Sequence, residues 1–262
     1  MASQIQAQNQ KPTRSVLITG ASTGIGRASA LDLAARGWQV FAGVRRDDDG
    51  ERLRGRSHGQ ITPVRLDVTD AAGIEACLAQ VTSRVGEAGL QGLVNNAGIS
   101  CPGAVEFIEL AELRHQLEVN LIGQVAVTQA FLPLVRQGRG RIVNVSSMGG
   151  FVSNAFLGAY NASKFGMEAI SDSLRRELRP WKIPVSVVQP GSIDTEIWSK
   201  GDTYSQKLIA GLDGRAKALY GDAIIAMVRF IDTRAKSAIP AGVAARTIRR
   251  ALTARRPRTR YR

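Results

Sequence analysis

A short apolar run, Val16-Leu-Ile-Thr19, passes directly into a segment carrying Gly20, Gly24 and Gly26, and from there into residues of helical period. Strand, glycine turn and helix in that order are what a dinucleotide-binding βα unit requires. Glycine lets the backbone turn tightly, approach a pyrophosphate closely and pack the helix against the sheet. The helix amino terminus then offers free N–H groups and partial positive charge to the phosphates. Gly26 is followed by Arg27-Ala28, so the Gly-Lys-Ser/Thr ending of a triphosphate-binding loop is missing.

The same alternation continues along the chain. Strands are predicted at Ser15–Thr19, Gln39–Val44, Thr62–Leu66, Gly92–Asn95, Arg141–Val145 and Val185–Gln189, each mostly apolar as strands buried on both faces are. Helices are predicted near Gly24–Arg36, Asp70–Val85, Glu109–Arg136 and Ala159–Arg179, the last ended by Pro180, with a shorter one at Ala241–Thr253. Thr69 or Asp70 can cap the second of these. No long polar linker or internal repeat interrupts the pattern. The expected fold is therefore α/β, a single-domain doubly wound parallel sheet (Rossmann) with helices on both faces over residues 14–262, after a flexible segment at residues 1–13. After Pro190-Gly191 polar and apolar residues mix, and residues 191–238 are expected to form a substrate lid, since α/β folds place ligand-covering segments past a strand's carboxyl end.

Composition removes several function classes. Cys77 and Cys101 lack a CxxC-like partner, which fits neither a zinc site nor a disulfide framework, and they read as inert thiols. His58 and His115 have no ligand spacing, so no metal site and no histidine-based hydrolysis are expected. The first dozen residues do not read as a signal peptide and no apolar run reaches about 18 residues, so a cytoplasmic chain without a membrane span is expected. Eight arginines and no acid lie between Arg246 and Arg262, which accounts for most of the net charge of +13. Residues 254–262 are expected to be a solvated basic tail, without specific nucleic-acid binding.

The spacing Thr19-Gly-x-x-x-Gly-x-Gly26 resembles that of the short-chain dehydrogenase/reductase family, and further motifs fall in that family's order. Leu66-Asp67-Val68 resembles its adenine-receiving segment, and Asn95-Asn-Ala-Gly98 its motif after the fourth strand. Asn120, Ser147, Tyr160, Lys164 and Pro190-Gly191 complete the set, which covers about residues 14 to 195. The resemblance implies cofactor contacts from Gly20, Ser22, Thr23, Gly24, Ile25, Gly26, Arg45, Asp67, Val68, Asn96, Tyr160, Lys164 and Ile193. It also implies a homodimer or homotetramer built on the helices around Glu109–Arg136 and Ala159–Arg179.

Tyr160 and Lys164, four apart on a helix, share a face. A phenol of ordinary pKa about 10 must come down by about 3, roughly 4 kcal/mol, to act as a base at neutral pH. One ammonium about 4 Å away, at an effective dielectric near 20, supplies about that much, and an oxidised nicotinamide would add to it. The resemblance makes Tyr160 the general acid/base, Lys164 its charge partner and ribose anchor, and Ser147 the hydroxyl that orients the substrate carbonyl. It gives Asn120 a water in the proton relay. Ser147 fits the family spacing better than Ser146, and without a histidine neither is a hydrolase nucleophile.

NAD-using members carry an acid near the end of the second strand to accept from the ribose diol. Val44 stands there, and Arg45 follows, where a guanidinium can hold a 2′-phosphate; NADP(H) is expected over NAD(H). Asp47-Asp48-Asp49 reads as a surface turn. The substrate is expected to be a small-molecule secondary alcohol or ketone, bulky or apolar, as for hydroxysteroid and retinol dehydrogenase-like members. Ile193, Ile197, Trp198, Leu208, Ile224, Ile225, Met227 and Phe230 are candidate lining. A redox sensor without turnover is the alternative, which the intact Ser147, Tyr160 and Lys164 oppose. The chain stops where a seventh strand would begin, so that sheet edge is expected to be short or absent.

Overall fold

The computed structural model describes residues 14–57, 59–195 and 214–262. Seven strands form one fully parallel sheet: β1 (Ser15–Ile18), β2 (Gln39–Val44), β3 (Ile61–Arg65), β4 (Gly92–Asn95), β5 (Arg141–Val145), β6 (Val185–Val188) and β9 (Arg260–Tyr261), in the order β3-β2-β1-β4-β5-β6-β9. The order reverses between β1 and β4, and a crevice at such a reversal is where α/β sheets bind ligands. A small second ladder pairs β7 (Ile193–Asp194) with β8 (Ile239–Pro240).

Alternation along each strand divides the core into two layers. Val16, Ile18, Val40, Ala42, Val94 and Val143 face one side with Leu33, Ile248 and Leu252. Leu17, Phe41, Val64, Leu93 and Ile142 face the other with Val127, Phe131 and Val135. Helix α1 (Gly24–Ala34) covers the first layer beside the helix Ala241–Thr253, here α8. Helices α3 (Ala71–Val85) and α5 (Gly123–Gln137) cover the second.

The long helix expected over Glu109–Arg136 is interrupted: α4 (Leu110–Leu117) passes into a π turn at Glu118–Ile122 before α5 begins. The wide turn contains Asn120, and such bulges concentrate at functional sites. The stretch Leu110–Gln137 is long and apolar enough to cross a membrane by length and composition. Its α5 part is packed against the sheet through Val127, Phe131, Leu134 and Val135. The expected helix near Ala159–Arg179 is α6 (Gly158–Glu177).

Asp47-Asp48-Asp49 is not a loose turn. It is the first turn of a helix, α2 (Asp47–Arg54), where three carboxylates meet the positive end of the dipole and Asp49 pairs with Arg46 and Arg52. Part of the expected lid is equally regular, since residues Gly214–Lys236 form one helix, α7. Ile197, Trp198 and Leu208 lie outside the described residues, as does His58. Cys77 and Cys101 are buried, and burial pushes their thiols up to about 12 and about 11, respectively, with a hydrogen bond to Glu112 adding to the second.

The largest correction concerns the basic tail. Its end is packed into the fold, while Arg255, Arg256 and Arg258 stay exposed as expected: Tyr261 is buried, and Val187 of β6 and Gln189 just beyond it donate to the Thr259 and Tyr261 carbonyls at 2.8 Å. Arg260 reaches Glu168 and Asp172 at 2.9 Å each. Arg262 donates to Gln189 and stacks over Phe151. The seventh strand thus exists with two residues, and these two guanidinium groups are engaged within the fold.

Candidate active site

Because the sheet is parallel, the loops after β1, β2, β4 and β5 emerge at one edge. The loop after β1 is shaped by glycines that no other residue can replace. Gly20 has a φ of +63°, and a Cβ there would lie 2.8 Å from the Ala97 Cα. A Cβ on Gly26 would lie 2.6 Å from the Asn96 Nδ2 and closer still to the Gly20 carbonyl oxygen. Thr23 precedes α1 in extended conformation and its side chain makes no capping bond. The first N–H groups of an eleven-residue helix therefore face the crevice without an internal side-chain acceptor, which fits a pyrophosphate.

Thr19 ties this loop to β4. Its buried hydroxyl accepts from the N–H groups of Asn96 (2.8 Å) and Ala97 (2.9 Å) and donates to Gln124 at 3.2 Å. The Asn96 amide donates to the carbonyls of Thr19 and Gly20, so this side chain braces the loop from behind. Ser22, Thr23 and Ile25 are half-buried along the turn. Asp67 follows β3; burial opposes its charge, yet the N–H and hydroxyl of Thr69, with Arg45 and His115 nearby, hold the carboxyl below its usual range. Val68 is buried next to it. Ile193 is buried too, in the β7–β8 ladder beyond Gly191.

Arg45 stands exposed just past β2, while buried Val44 occupies the expected acidic position and offers no acceptor. Asp49 is turned to Arg46 and Arg52. The acidic run therefore neutralises its own neighbours rather than the place Arg45 flanks.

Ser147 follows β5, and Tyr160 and Lys164 lie on α6. The two adjacent serines differ: Ser146 Oγ is buried without a partner, whereas Ser147 Oγ is half-exposed, accepts from Gly149 N–H at 3.1 Å and hydrogen-bonds Tyr160. Gly149 leaves room for the Tyr160 ring, since a Cβ there would lie 3.1 Å from its Cε1. Lys164 is buried; its Nζ donates to the Val145 carbonyl at 2.9 Å and sits 5.8 Å from the Tyr160 ring centroid. Burial brings the ammonium down to about 8, opposed by the charge of Glu168.

The phenol departs from expectation. Burial dominates and pushes Tyr160 above its ordinary value, with the Ser147 hydrogen bond acting the other way. An ammonium about 4 Å from the phenol would hold it down, but Lys164 is directed at the Val145 carbonyl. Asn120 is cross-braced: Oδ1 accepts from Ile99 N–H at 2.8 Å, and Nδ2 donates to the Ile99 carbonyl and to Ser163 Oγ. Ser163 in turn donates to the Tyr160 carbonyl at 2.6 Å. Gly98 lies between Asn120 and Lys164, its missing Cβ 3.3 Å from Asn120 Oδ1 and 3.8 Å from Lys164 Nζ.

Sequence reasoning placed Thr19 at the head of the glycine motif without its bracing role, and missed Gln189 and Glu168. Gln189 has no motif of its own. Glu168 had a signal, since a carboxylate one turn beyond Lys164 on the same helix face is its natural ion partner.

Residues 14–204 match the family model described as short chain dehydrogenase. The chain is 40% identical over 253 residues to retinol dehydrogenase 16 of Mus musculus, covering 94% of this chain and 79% of that protein. It is 45% identical over 181 residues to 17-beta-hydroxysteroid dehydrogenase type 6 of Homo sapiens, covering 69% of this chain and 57% of that protein. Among solved structures, a short-chain dehydrogenase from Streptomyces avermitilis superimposes with a TM-score of 0.78 at 29% identity, covering 97% of this chain and 88% of that one.

Proposed function

The chain belongs to the short-chain dehydrogenase family and is an NAD(P)-dependent oxidoreductase acting on CH–OH groups; on that premise we propose that it moves a hydride between NADP(H) and a bulky, apolar secondary alcohol or ketone. The observation carrying the reading is the placement of Ser147, Tyr160 and Lys164 across the sheet's switch point from the glycine loop.

When bound, the nicotinamide supplies or receives the hydride. The protein does the rest. In the reducing direction the Tyr160 hydroxyl protonates the substrate oxygen, and Ser147 holds that oxygen by hydrogen bond. Lys164, held by the Val145 carbonyl, carries the positive charge that favours the phenolate left behind. Asn120 ties the π turn to the loop at Ile99 beside the lysine, where a relay water would sit.

Arg45 supports NADP(H): it is the cation past β2 that Asp49 does not engage, and Val44 gives a ribose diol nothing to bind. The apolar substrate rests on the surface around the site. Met148, Phe151 and Val152 are exposed beside Ser147, and Phe107 and Phe156 meet Tyr220 of α7 edge-on. Relatives named for retinol and for a 17-beta-hydroxysteroid point the same way. A homo-oligomer formed through α4 to α6 is also proposed, on the exposed Leu110, Ile122, Phe165 and Ile170.

The test is initial-rate kinetics with equal NADPH and NADH against steroid ketones, other bulky apolar ketones and short polar ketones. NADPH preferred by about tenfold or more, with turnover of the bulky carbonyls, is expected from the charge-assisted contact. An NADH preference removes the cofactor assignment, and activity confined to small polar carbonyls removes the substrate assignment.

A further inference from the structure

The basic segment that ends in β9 has no role in the chemistry described so far, yet it reaches the helix carrying Lys164. Glu168, one turn beyond that lysine, is only 8% exposed. A carboxylate in such a position needs partners, and both oxygens have one. Oε1 accepts from Gln189 Nε2 at 2.9 Å, and Oε2 accepts from Arg260 Nε at 2.9 Å. Gln189 is gripped again by Arg262, and Arg260 also holds Asp172. The catalytic turn rests on this group as well: a Cβ on Gly150 would lie 3.1 Å from Glu168 Cγ and 3.2 Å from the Lys164 carbonyl.

We propose that Glu168 is a positioning residue for Lys164, a buried carboxylate that holds the lysine's charge beside Tyr160 and whose own charge is tempered by Arg260 of the edge strand. The role rests on the reading of Lys164 as the charge partner of Tyr160. Among the described residues, the groups that bear on the pair are few. On α6 they are Tyr160, Asp172 and Arg175, the last two paired at 3.4 Å. From β9 comes Arg260, with Arg262 acting through Gln189. The other elements against the lysine present Gly98, Asn120 and the Val145 carbonyl, all neutral.

Two opposite signs follow. Burial lowers the lysine and the Glu168 charge raises it. Removing the carboxylate must lower it further. Removing Arg260 leaves the carboxylate uncompensated and must raise it. A scaffold role would move neither, or would move both together.

The measurement is the pH titration of the Lys164 13Cε resonance in the full chain labelled with 13C-lysine, assigned by loss of the signal in Lys164→Arg. It needs neither cofactor nor substrate, so it succeeds or fails apart from the dehydrogenase reading. Glu168→Gln is expected to lower the midpoint by about 1 unit and Arg260→Gln to raise it by about 0.5, the order expected of charges about 6 Å or more away in a partly screened site. Where turnover is measured, the alkaline limb of the rate profile moves with each midpoint. Unmoved midpoints, or shifts of the same sign, overturn the proposal. Should Glu168→Gln not fold, Arg260→Gln decides alone: a rise supports the coupling, and an unmoved or lowered midpoint overturns it.

Discussion

At the carboxyl end of β1 the chain offers a ligand almost nothing but backbone, whereas at β5 and α6 it offers buried side chains with charge. The first region works by shape. Gly20 and Gly26 are present because a Cβ would strike Ala97, Asn96 or the loop itself, and Thr19 locks the turn through neutral hydrogen bonds. The second works by electrostatics in a desolvated place, with Lys164 brought down to about 8 and Tyr160 pushed up. A shape-built cradle is insensitive to pH and intolerant of added atoms. A charge-built centre tolerates isosteres sterically but not electrically.

That contrast can be broken most sharply at Lys164. Lys164→Met is expected to lower kcat by about 100-fold or more, since a charge about 6 Å away at an effective dielectric near 20 is worth roughly 3 kcal/mol, while NADPH still binds in fluorescence titrations. Stability should respond in the opposite sense. The lysine's folded value, about 8, lies below the ordinary 10.5, so the charged form is disfavoured in the fold. Stability contributed by the neutral form appears as pH rises from about 8 to 10.5 and is absent below. The advantage of Met over Lys in urea denaturation should therefore shrink by about 2 kcal/mol between pH 7 and pH 9.5; an advantage that is flat with pH counts against the desolvated lysine.

The shape-built region gives the next largest effect. Gly26→Ala should weaken NADPH binding by about 100-fold or more, the cost of displacing the loop carbonyl and the Asn96 amide. Binding within a few-fold of wild type would mean that the loop yields. Arg45→Ala is expected to raise the KM for NADPH by about 10-fold, leave NADH nearly unchanged and spare kcat. Equal losses with both cofactors would place the arginine elsewhere.

What the sequence made legible follows the same division. The glycine spacing and the alternation of strands and helices depend on local pattern, and they led to the right sheet and the same carboxyl edge. The π turn at Asn120 was not legible, because the helical period runs on through Glu118–Ile122 and the bulge is fixed by bonds to Ile99 and Ser163. The packing of the basic segment's last residues was not legible for a related reason. Arginines look solvated in a linear chain, and only folding brings Arg260 to Glu168 and Asp172, 92 and 88 residues away. The direction of the Tyr160 shift failed likewise, since helical spacing gives a shared face but not the Val145 carbonyl that captures the ammonium.

The most direct measurement pairs the two regions in one variant. Tyr160→Phe removes only the hydroxyl that Ser147 contacts, and NADPH binding should stay within a few-fold of wild type while ketone reduction falls by about 10³ or more. Turnover within tenfold of wild type, with NADPH binding intact, would contradict the assignment of the proton-transferring group and with it the charge-built half of the site.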